Sequence, residues 1–299
     1  MSDLRFIVTQ QCNFNCFFCH REGVKIYEKE KLSAEDYVFI FETARILFGY
    51  KGVTITGGEP LLRSDIEEII KDLRSRRAKI TLVTNGSLLY QYISLGNFLA
   101  KIHISLFSLE TKIWQEATKS VLYMQVIKGV KLFRKNYPKK IIKLNIVSVP
   151  NKNINEQNIL KFLKFAQEFG VFLKFIPPVL DCNLPPNYIT NKINSMLIGV
   201  GASLIKESNR KRFYSLKNIK IEIDSCICDK VRTTPDPKKF CQKHSDIFIT
   251  PGGKLKPCMF DASTISILEE VKNRKDVSLG KKLWQAQQLL GDNCPLIYR

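Results

Sequence analysis

The feature that most limits the fold of this chain is a group of three cysteines near the amino terminus. Cys12, Cys16 and Cys19 lie within eight residues, directly after a short apolar run that is typical of a β-strand. Three thiolates in one short loop can face a common point, which is the arrangement that a metal centre needs. The alternatives are buried cysteines that act as small hydrophobic side chains, or part of a zinc knuckle.

The number of cysteines bears on the kind of metal. A structural zinc site takes four ligands, usually as two separated pairs, and no second pair lies close to this loop. A cubane iron–sulfur cluster has four irons that each take a thiolate, so three cysteines leave one iron open. An open position is typical of a catalytic centre. His20 is the nearest candidate for a fourth ligand, but it adjoins Cys19 and would reach the remaining corner only under strain.

Length and composition exclude several classes of protein. The 299 residues can bury one large core, or a core and a smaller module. We expect a soluble, cytoplasmic protein, because the chain shows neither a signal sequence nor an apolar run near the ~20 residues of a membrane span. The net charge of +19 favours an anionic ligand such as a nucleotide. Nucleic-acid binding is not expected, since the lysines are scattered and form no basic stripe with interleaved aromatic residues.

Strands and helices alternate along the first part of the chain. Six apolar strands are separated by segments with helical signals. These signals are helix caps at Ser33 and Ser64, a long amphipathic stretch to about Phe133, and a helix from Asn155 to Gly170. Those strands are predicted at residues 4–9, 52–56, 79–84, 102–106, 141–149 and 171–176. The alternation predicts an α/β fold, a partial (βα)6 TIM-type barrel. Its active site would lie at the carboxyl ends of the strands, where the three cysteines begin.

A second motif, Thr56-Gly57-Gly58-Glu59-Pro60, follows the second predicted strand. Two adjacent glycines allow backbone conformations that other residues avoid, and they let a ligand approach main-chain atoms closely. An exposed carbonyl there could accept a hydrogen bond from an ammonium group. A Gly-Gly pair before a helix is, on its own, usually a tight turn.

Together the two motifs resemble the signatures of the radical S-adenosylmethionine (SAM) enzymes: C-x3-C-x2-C with Phe18 before the last cysteine, and Gly-Gly-Glu-Pro. The resemblance implies a [4Fe-4S] cluster on Cys12, Cys16 and Cys19 with SAM on the open iron. It also implies an external one-electron reductant and reductive cleavage of SAM to a 5′-deoxyadenosyl radical, which abstracts hydrogen from a substrate.

Five segments further resemble the GTP 3′,8-cyclase (MoaA) family, in particular its archaeal forms, which make the first intermediate of molybdenum cofactor. These segments are residues 16–23, 56–63, 84–86, 103–106 and 143–145. The resemblance implies SAM contacts at Phe18, Gly57, Gly58, Glu59 and Ser105. It implies substrate contacts at Arg5, Thr84 and Lys143.

The carboxyl-terminal part is expected to form a smaller module. Prolines at 177, 178, 185 and 186 suggest a linker, and we divide the chain into a core barrel, 1–208, and an auxiliary module, 209–299. A further helix, a strand at 219–224 and a hairpin through 251–253 are predicted there.

The cyclase family binds a second cluster in this part through C-x2-C-x13-C, and here Cys241, His244 and Cys258 have the same spacing. Imidazole can ligate an iron–sulfur cluster, so a second cluster is predicted. The alternative is a zinc site or a former cluster site that has collapsed. Cys226, Cys228 and Cys294 are spare candidates, and Cys182 is interpreted as a core residue.

Other departures from the family concern the substrate. The family's Asn-Arg-x-Arg segment corresponds here to Ser245-Asp246-Ile247-Phe248, a further arginine corresponds to Thr54, and the Gly-Gly tail is missing. Each lost charged hydrogen bond costs about 1.5–3 kcal/mol. The sequence therefore leaves open GTP, a different small molecule or a peptide. A non-catalytic iron–sulfur electron carrier is the remaining alternative, although a carrier has no need of Gly-Gly-Glu-Pro.

Overall fold

The computed structural model of the chain describes residues 4–178, 187–208, 211–225 and 234–291. Its strands are β1 Leu4–Ile7, β2 Gly52–Thr56, β3 Lys79–Thr84, β4 Lys101–Ser105, β5 Ile141–Val147, β6 Phe172–Ile176, β7 Ser203–Glu207, β8 Lys211–Leu216, β9 Ile219–Asp224, β10 Ile247–Ile249, β11 Lys254–Lys256 and β12 Ile265–Ser266. Its helices are α1 Ala34–Phe48, α2 Ile66–Ser75, α3 Thr111–Thr118, α4 Tyr123–Asn136, α5 Glu156–Phe169, α6 Tyr188–Gly199, α7 Pro237–His244, α8 Leu268–Lys272 and α9 Asp276–Gln288.

All twelve strands join in one sheet, in which β1 to β6 lie side by side in chain order and run parallel. Among the described strands β1 and β6 do not pair, so the sheet is open. The predicted partial barrel of the α/β class is confirmed. No helix within the described ranges is long and apolar enough to cross a membrane.

Residue alternation explains how each strand fits this sheet. In β5 the side chains of Ile142, Leu144 and Ile146 are fully buried in the main hydrophobic core. Lys143 and Asn145 occupy the alternate positions and belong to the opposite face of the strand. The sheet therefore has an apolar face toward the core and a face on which polar side chains meet.

The residues after 208 extend this same sheet on both edges. β9 lies parallel to β6, and β8 and β7 follow it in antiparallel order. β10 lies parallel to β1 on the opposite edge and continues into β11 and β12. The antiparallel β10–β11 pair confirms the predicted hairpin. The division at residue 208 stays a prediction, and the linker prolines at 185 and 186 lie outside the described residues.

Two local expectations differ from the structure. The capping box at Ser33 and Asp36 is confirmed at the start of α1, but Ser64 does not cap α2, because Asp65 occupies that position. The carboxylate of Asp65 accepts hydrogen bonds from Arg63 instead. The stretch to Phe133 is two helices, since the chain turns at Lys119 with a positive φ of 55°.

Arg63 fixes the exit of β1 to its surroundings. Its buried guanidinium donates hydrogen bonds to the carbonyls of Val8 at 2.7 Å and Leu32 at 2.6 Å. Asp65 balances its charge, with Nε and Oδ1 2.5 Å apart. Because Val8 leads directly into the cysteine loop, Arg63 helps to hold the start of that loop in place.

Replacing Arg63 by leucine should lower the free energy of unfolding by about 2–4 kcal/mol, because two buried carbonyls lose charged donors. Urea denaturation under anaerobic conditions measures this change. Arg76→Leu is the matched control: its only ion pair in the described structure is an exposed 3.9 Å contact with Glu42, and the expected loss is below about 0.5 kcal/mol. Equal losses in the two variants would contradict the role of Arg63.

Candidate active site

A cavity of about 220 Å³ opens at the carboxyl ends of the parallel strands. Its wall includes the last residue of five strands: Thr56, Thr84, Ser105, Val147 and Ile176. All three cysteines of the amino-terminal loop line the same cavity. The structure therefore brings the cysteines together with the end of the barrel at which such sheets carry their active sites.

Main-chain hydrogen bonds join the cysteine loop to the Gly-Gly-Glu-Pro loop. The amide of Gly58 donates to the Thr9 carbonyl and the amide of Glu59 donates to the Gln11 carbonyl, both at 2.8 Å. A Cβ atom at Gly57 would lie 2.3 Å from the Thr9 oxygen, and one at Gly58 would lie 2.2 Å from the Gln11 oxygen. The fold itself thus requires both glycines, a reason beyond the tight turn and the ligand approach that the sequence suggests.

A second contact fixes the far side of the cysteine loop. The amides of Asn15 and Phe17 donate to the carbonyls of Thr118 and Ala117, at 2.9 Å and 3.1 Å. These carbonyls lie at the end of α3, where the helix leaves its last carbonyls without helical partners. The loop is therefore attached on one side to the glycines and on the other to a helix end.

The three thiols are free, and Cys12 and Cys19 are both close enough to Cys16 to interact with it electrostatically. Burial, together with the neighbouring Cys19 and Cys12, raises the pKa of Cys16 to about 12. Bound iron would offset this repulsion between thiolates. In the described part of the chain no three metal-ligating side chains are close enough to hold one metal ion. A cubane does not require that closeness, because each thiolate binds a different iron.

The ring of His20 is directed to its own turn. Its Nδ1 accepts a hydrogen bond from the Glu22 amide at 3.1 Å, in a turn where Arg21, Glu22 and Gly23 all have positive φ. This bond gives His20 a capping function and agrees with a cluster that has three cysteine ligands.

An amide network contacts the first cysteine. The Nδ2 atom of Asn85 lies 3.9 Å from the Cys12 sulfur and donates to Asn13 Oδ1 at 2.8 Å. Ser87 donates to Asn85 Oδ1 at 2.7 Å and so fixes the orientation of the amide. The sequence indicated Asn85 only within the segment 84–86 and did not predict this contact, because it joins positions that are far apart in the chain.

Glu59 does not belong to the cavity lining. Its buried carboxylate accepts hydrogen bonds from the Thr84 hydroxyl at 2.7 Å, the Asn85 amide at 2.6 Å and the Leu61 amide at 3.1 Å. Burial raises the pKa of Glu59 to about 7, against the effect of these donors. Glu59 thus ties the glycine loop to the end of β3, and its predicted contact with SAM stays a prediction.

An aromatic pair forms one wall of the cavity. The rings of Phe18 and Phe107 stack with 4.9 Å between centroids and an angle of 11°, and Phe17 packs edge-on against both. Phe18 and Ser105 both line the cavity, and their contact with SAM stays a prediction. Phe107 was missed, although it follows β4 by only two residues.

Arg5 lines the cavity, but two carboxylates bind it. Its guanidinium lies 3.3 Å from Glu22 and 3.4 Å from Asp246, and Thr56 donates to Glu22 at 2.7 Å. Although burial acts in the opposite direction, Arg5 lowers the pKa of Glu22. The predicted substrate cation is therefore charge-compensated within the protein.

Lys143 lies outside the cavity lining and is also compensated. Its Nζ is 2.5 Å from Glu222, which binds Lys211 at 2.7 Å as well. Lys174 pairs with Asp224 at 2.8 Å. Burial would raise the pKa of Glu222, but the surrounding lysines lower it to about 2. Sequence reasoning missed these acids because they come from β9.

The predicted second site is partly described. Cys241 in α7 is buried, and Cys258 follows β11; both pack in one small cluster with Phe240 and Leu290. His244 is the last residue of α7. The structure thus brings the two cysteines into one region. Cys182, Cys226, Cys228 and Cys294 lie outside the described residues.

Adding a methyl group at position 58 tests whether the close approach of the two loops is needed for activity. In Gly58→Ala the new Cβ would overlap the Gln11 carbonyl, so we expect the loops to separate and SAM-dependent formation of 5′-deoxyadenosine to fall at least tenfold. Gly199→Ala is the control, since a Cβ there meets no atom within 4 Å. Iron content and 5′-deoxyadenosine are measured after anaerobic reconstitution. Unchanged activity in Gly58→Ala would refute the close approach.

Comparison with known proteins gives three findings on sequence. The profile of the Radical SAM superfamily matches residues 6–163, more than half of the chain. A probable GTP 3′,8-cyclase of Pyrobaculum aerophilum is 28% identical over 286 residues, covering 92% of this chain and 89% of that protein. A probable GTP 3′,8-cyclase of Metallosphaera sedula is 30% identical over 295 residues, covering 95% of this chain and 88% of that protein.

Solved structures show the same fold. Streptococcus suis SuiB bound to S-adenosylmethionine superposes with a TM-score of 0.70 at 17% identity, over 99% of this chain and 71% of that chain. A radical SAM methyltransferase from Sphaerobacter thermophilus has a TM-score of 0.52 at 16% identity, over 67% of this chain and 63% of that chain.

The family implies a [4Fe-4S] cluster and SAM, and the residues fit both, because three free cysteines and two glycines share one cavity wall. Sequence profile, relatives and fold agree with the expected chemistry. This chain therefore belongs to the radical SAM superfamily, as an enzyme of the MoaA-like type.

Proposed function

We propose that Cys12, Cys16 and Cys19 hold a [4Fe-4S] cluster at which SAM is reductively cleaved, giving a 5′-deoxyadenosyl radical that abstracts hydrogen from a small molecule in the adjoining cavity. The observation that supports this proposal is the shared wall. The cysteine loop and Gly57-Gly58 line one cavity and are connected by main-chain hydrogen bonds.

The other residues of the cavity wall would bind and orient the substrate. Phe18 and Phe107 offer an apolar wall, and Ser105 and Thr84 belong to the lining, although the Thr84 hydroxyl donates a hydrogen bond to Glu59. Asn145 Oδ1 is buried, belongs to a lining residue, and has no hydrogen-bond partner within the described residues. A buried acceptor without a donor is costly, so a bound ligand that donates a hydrogen bond there would gain affinity.

GTP is the first candidate substrate. The relatives that are named probable GTP 3′,8-cyclases cover most of this chain, and Arg5 and Thr84 lie in the cavity wall as the resemblance implies. The product of such a reaction would be an intermediate of molybdenum cofactor.

A less anionic small molecule, or a peptide, is the second candidate. Arg5 and Lys143 are both bound to carboxylates, so a triphosphate would have to compete with Glu22, Asp246 and Glu222. Separating a buried ion pair leaves an uncompensated carboxylate and is strongly unfavourable. Either substrate would enter the same cavity. One assay, the search for a GTP-dependent product, distinguishes the two candidates.

We further propose a second iron–sulfur cluster at Cys241, His244 and Cys258. The proximity of the two cysteines in one apolar cluster supports it. The apolar neighbours of the two cysteines are compatible with a cluster, whose third ligand would come from the end of α7.

The reconstituted enzyme should form 5′-deoxyadenosine from SAM and dithionite, and the Cys12→Ala/Cys16→Ala/Cys19→Ala variant should form none, because the cluster at which SAM binds has lost its three ligands. Chromatography of quenched reactions, with and without GTP, measures both 5′-deoxyadenosine and nucleotide products. A GTP-dependent product supports the cyclase reaction; formation of 5′-deoxyadenosine without any such product supports the second candidate. No 5′-deoxyadenosine from the wild type would contradict the proposed chemistry.

The same triple variant tests the second cluster. With the amino-terminal ligands removed, we expect iron and sulfide to remain bound, because Cys241 and Cys258 are untouched. Iron and sulfide assays on the reconstituted variant give the number directly, with the wild type as reference. A variant that retains neither iron nor sulfide would rule out the second cluster.

A further inference from the structure

We propose that a pocket at the amino ends of strands β2 and β3 binds a compact polyphosphate, such as the triphosphate group of a nucleotide. We call it the basal pocket and define it by its described lining residues: Arg45, Gly49, Tyr50, Lys51, Arg77 and Lys79. Its volume of about 400 Å³ lies in the range of small-molecule sites. The proposal is independent of the proposed function, because the described linings of the basal pocket and of the active-site cavity share no residue.

The basal pocket is strongly positive. All of its charged residues in the described lining are cations: Arg45, Lys51, Arg77 and Lys79. Lys51, Arg77 and Lys79 have no carboxylate partner within the described ranges of the chain, whereas Lys71, also exposed, pairs with Glu67 at 2.9 Å. Cations that surround one space without acids repel each other, and a bound anion would remove that repulsion.

The carboxyl ends of α1 and α2 account for only part of this charge. A helix end attracts cations in its last turn, and Arg45 and Arg74 lie in the last turns of these two helices. Lys51 directly precedes β2 and Lys79 begins β3, so neither belongs to a helix. Their charges are available to a ligand.

The fold holds Lys51 and Lys79 next to each other. The Lys79 amide donates to the Lys51 carbonyl at 3.0 Å. The parallel register pairs Gly52 with Lys79, and a Cβ atom at Gly52 would lie 2.6 Å from the Lys79 carbonyl oxygen. Because position 52 carries no side chain, the two strands approach closely enough to place both lysines at one pocket. The two ammonium groups are thus brought together before any ligand binds.

The two arginines come from helix ends. Arg45 donates to Glu42 from Nε at 3.1 Å and from Nη2 at 2.9 Å, which orients its guanidinium. Arg77 follows α2 with a left-handed φ of 63°, a conformation that glycine adopts more easily. Guanidinium groups bind phosphate oxygens through paired hydrogen bonds, and ammonium groups add point charges. The lining therefore offers the donors that a polyphosphate requires.

The lining favours phosphate over a nucleobase. The aromatic residue of the described lining, Tyr50, is only 6% exposed, so its ring is not available for a base to stack on. Recognition would rest on charge and on hydrogen bonds to phosphate oxygens. We therefore expect nucleotides that carry the same phosphate groups and different bases to bind alike.

The basal pocket lies at the end of the sheet opposite to the active-site cavity. Strand β3 begins at Lys79 in the basal pocket and ends at Thr84 in the cavity wall. Five residue steps along a strand separate its ends by about 17 Å. A ligand in the basal pocket would not overlap SAM, so the two sites can be occupied together.

Calorimetric titration of the full-length reconstituted enzyme with inorganic tripolyphosphate tests the proposal. We expect binding that is at least tenfold weaker in Lys51→Gln/Lys79→Gln, because two of the four cations are lost. ATP and CTP should bind within threefold of each other, and added salt should weaken all three ligands. Saturating SAM should leave the affinity for tripolyphosphate unchanged.

Arg77→Gly tests the pocket without loss of stability. Glycine suits the φ of 63°, so thermal unfolding should occur at or above the wild-type temperature, while tripolyphosphate binding should weaken at least threefold. Lys112→Gln/Lys281→Gln is the matched control, since it removes two exposed lysines from α3 and α9 and changes the net charge equally. Its affinity for tripolyphosphate should stay within twofold of the wild type.

Four results would overturn the proposal. The first is no binding of tripolyphosphate, or equal binding by the wild type and both pocket variants. The second is an equal loss in the control, which would reduce the effect to net charge. The third is displacement of tripolyphosphate by SAM, which would assign it to the active-site cavity. The fourth is a short RNA duplex that binds, and that the pocket variants bind more weakly, when tripolyphosphate does not bind; the surface would then be a nucleic-acid site.

Discussion

The structure depends on the close approach of two loop backbones at the top of the sheet. The amides of Gly58 and Glu59 reach the carbonyls of Thr9 and Gln11, and they can do so only because positions 57 and 58 carry no side chain. This contact connects the ends of two neighbouring parallel strands. It fixes the start of the cysteine loop relative to the loop on which SAM is expected to lie, before any cofactor binds.

Two buried charged side chains, Arg63 and Glu59, further fix the loops that make this contact. Arg63 donates to the carbonyl of Val8 under the cysteine loop, and Glu59 accepts from Thr84 and Asn85 at the end of the next strand. The buried side chains of Arg63 and Glu59 both have partners, which is the condition under which burial does not destabilise. The active-site loops are therefore held by the protein's own hydrogen bonds, and the cavity between them is preformed.

Local sequence patterns predicted the framework well. The six barrel strands followed from apolar runs, the Ser33 capping box from its own residues, and the position of Cys12 from the end of β1. Strands β7, β8 and β12 were not predicted. Long-range electrostatics could not be predicted in this way. Asp246 lies 241 residues from Arg5 in the chain, and Glu222 lies 79 residues from Lys143. No local pattern indicates which cation an acid will meet after folding. Both proposed substrate cations were consequently judged more available than the structure shows.

The central claim is that three cysteines leave one iron of a cluster open for SAM. Electron paramagnetic resonance of the dithionite-reduced, anaerobically purified protein tests it directly, with and without SAM labelled by ¹⁵N at the amino group. The account predicts a change of the cluster signal on addition of SAM and a hyperfine coupling to the labelled nitrogen. A cluster signal that SAM does not alter, or zinc bound by Cys12, Cys16 and Cys19 in X-ray absorption spectra, would contradict it.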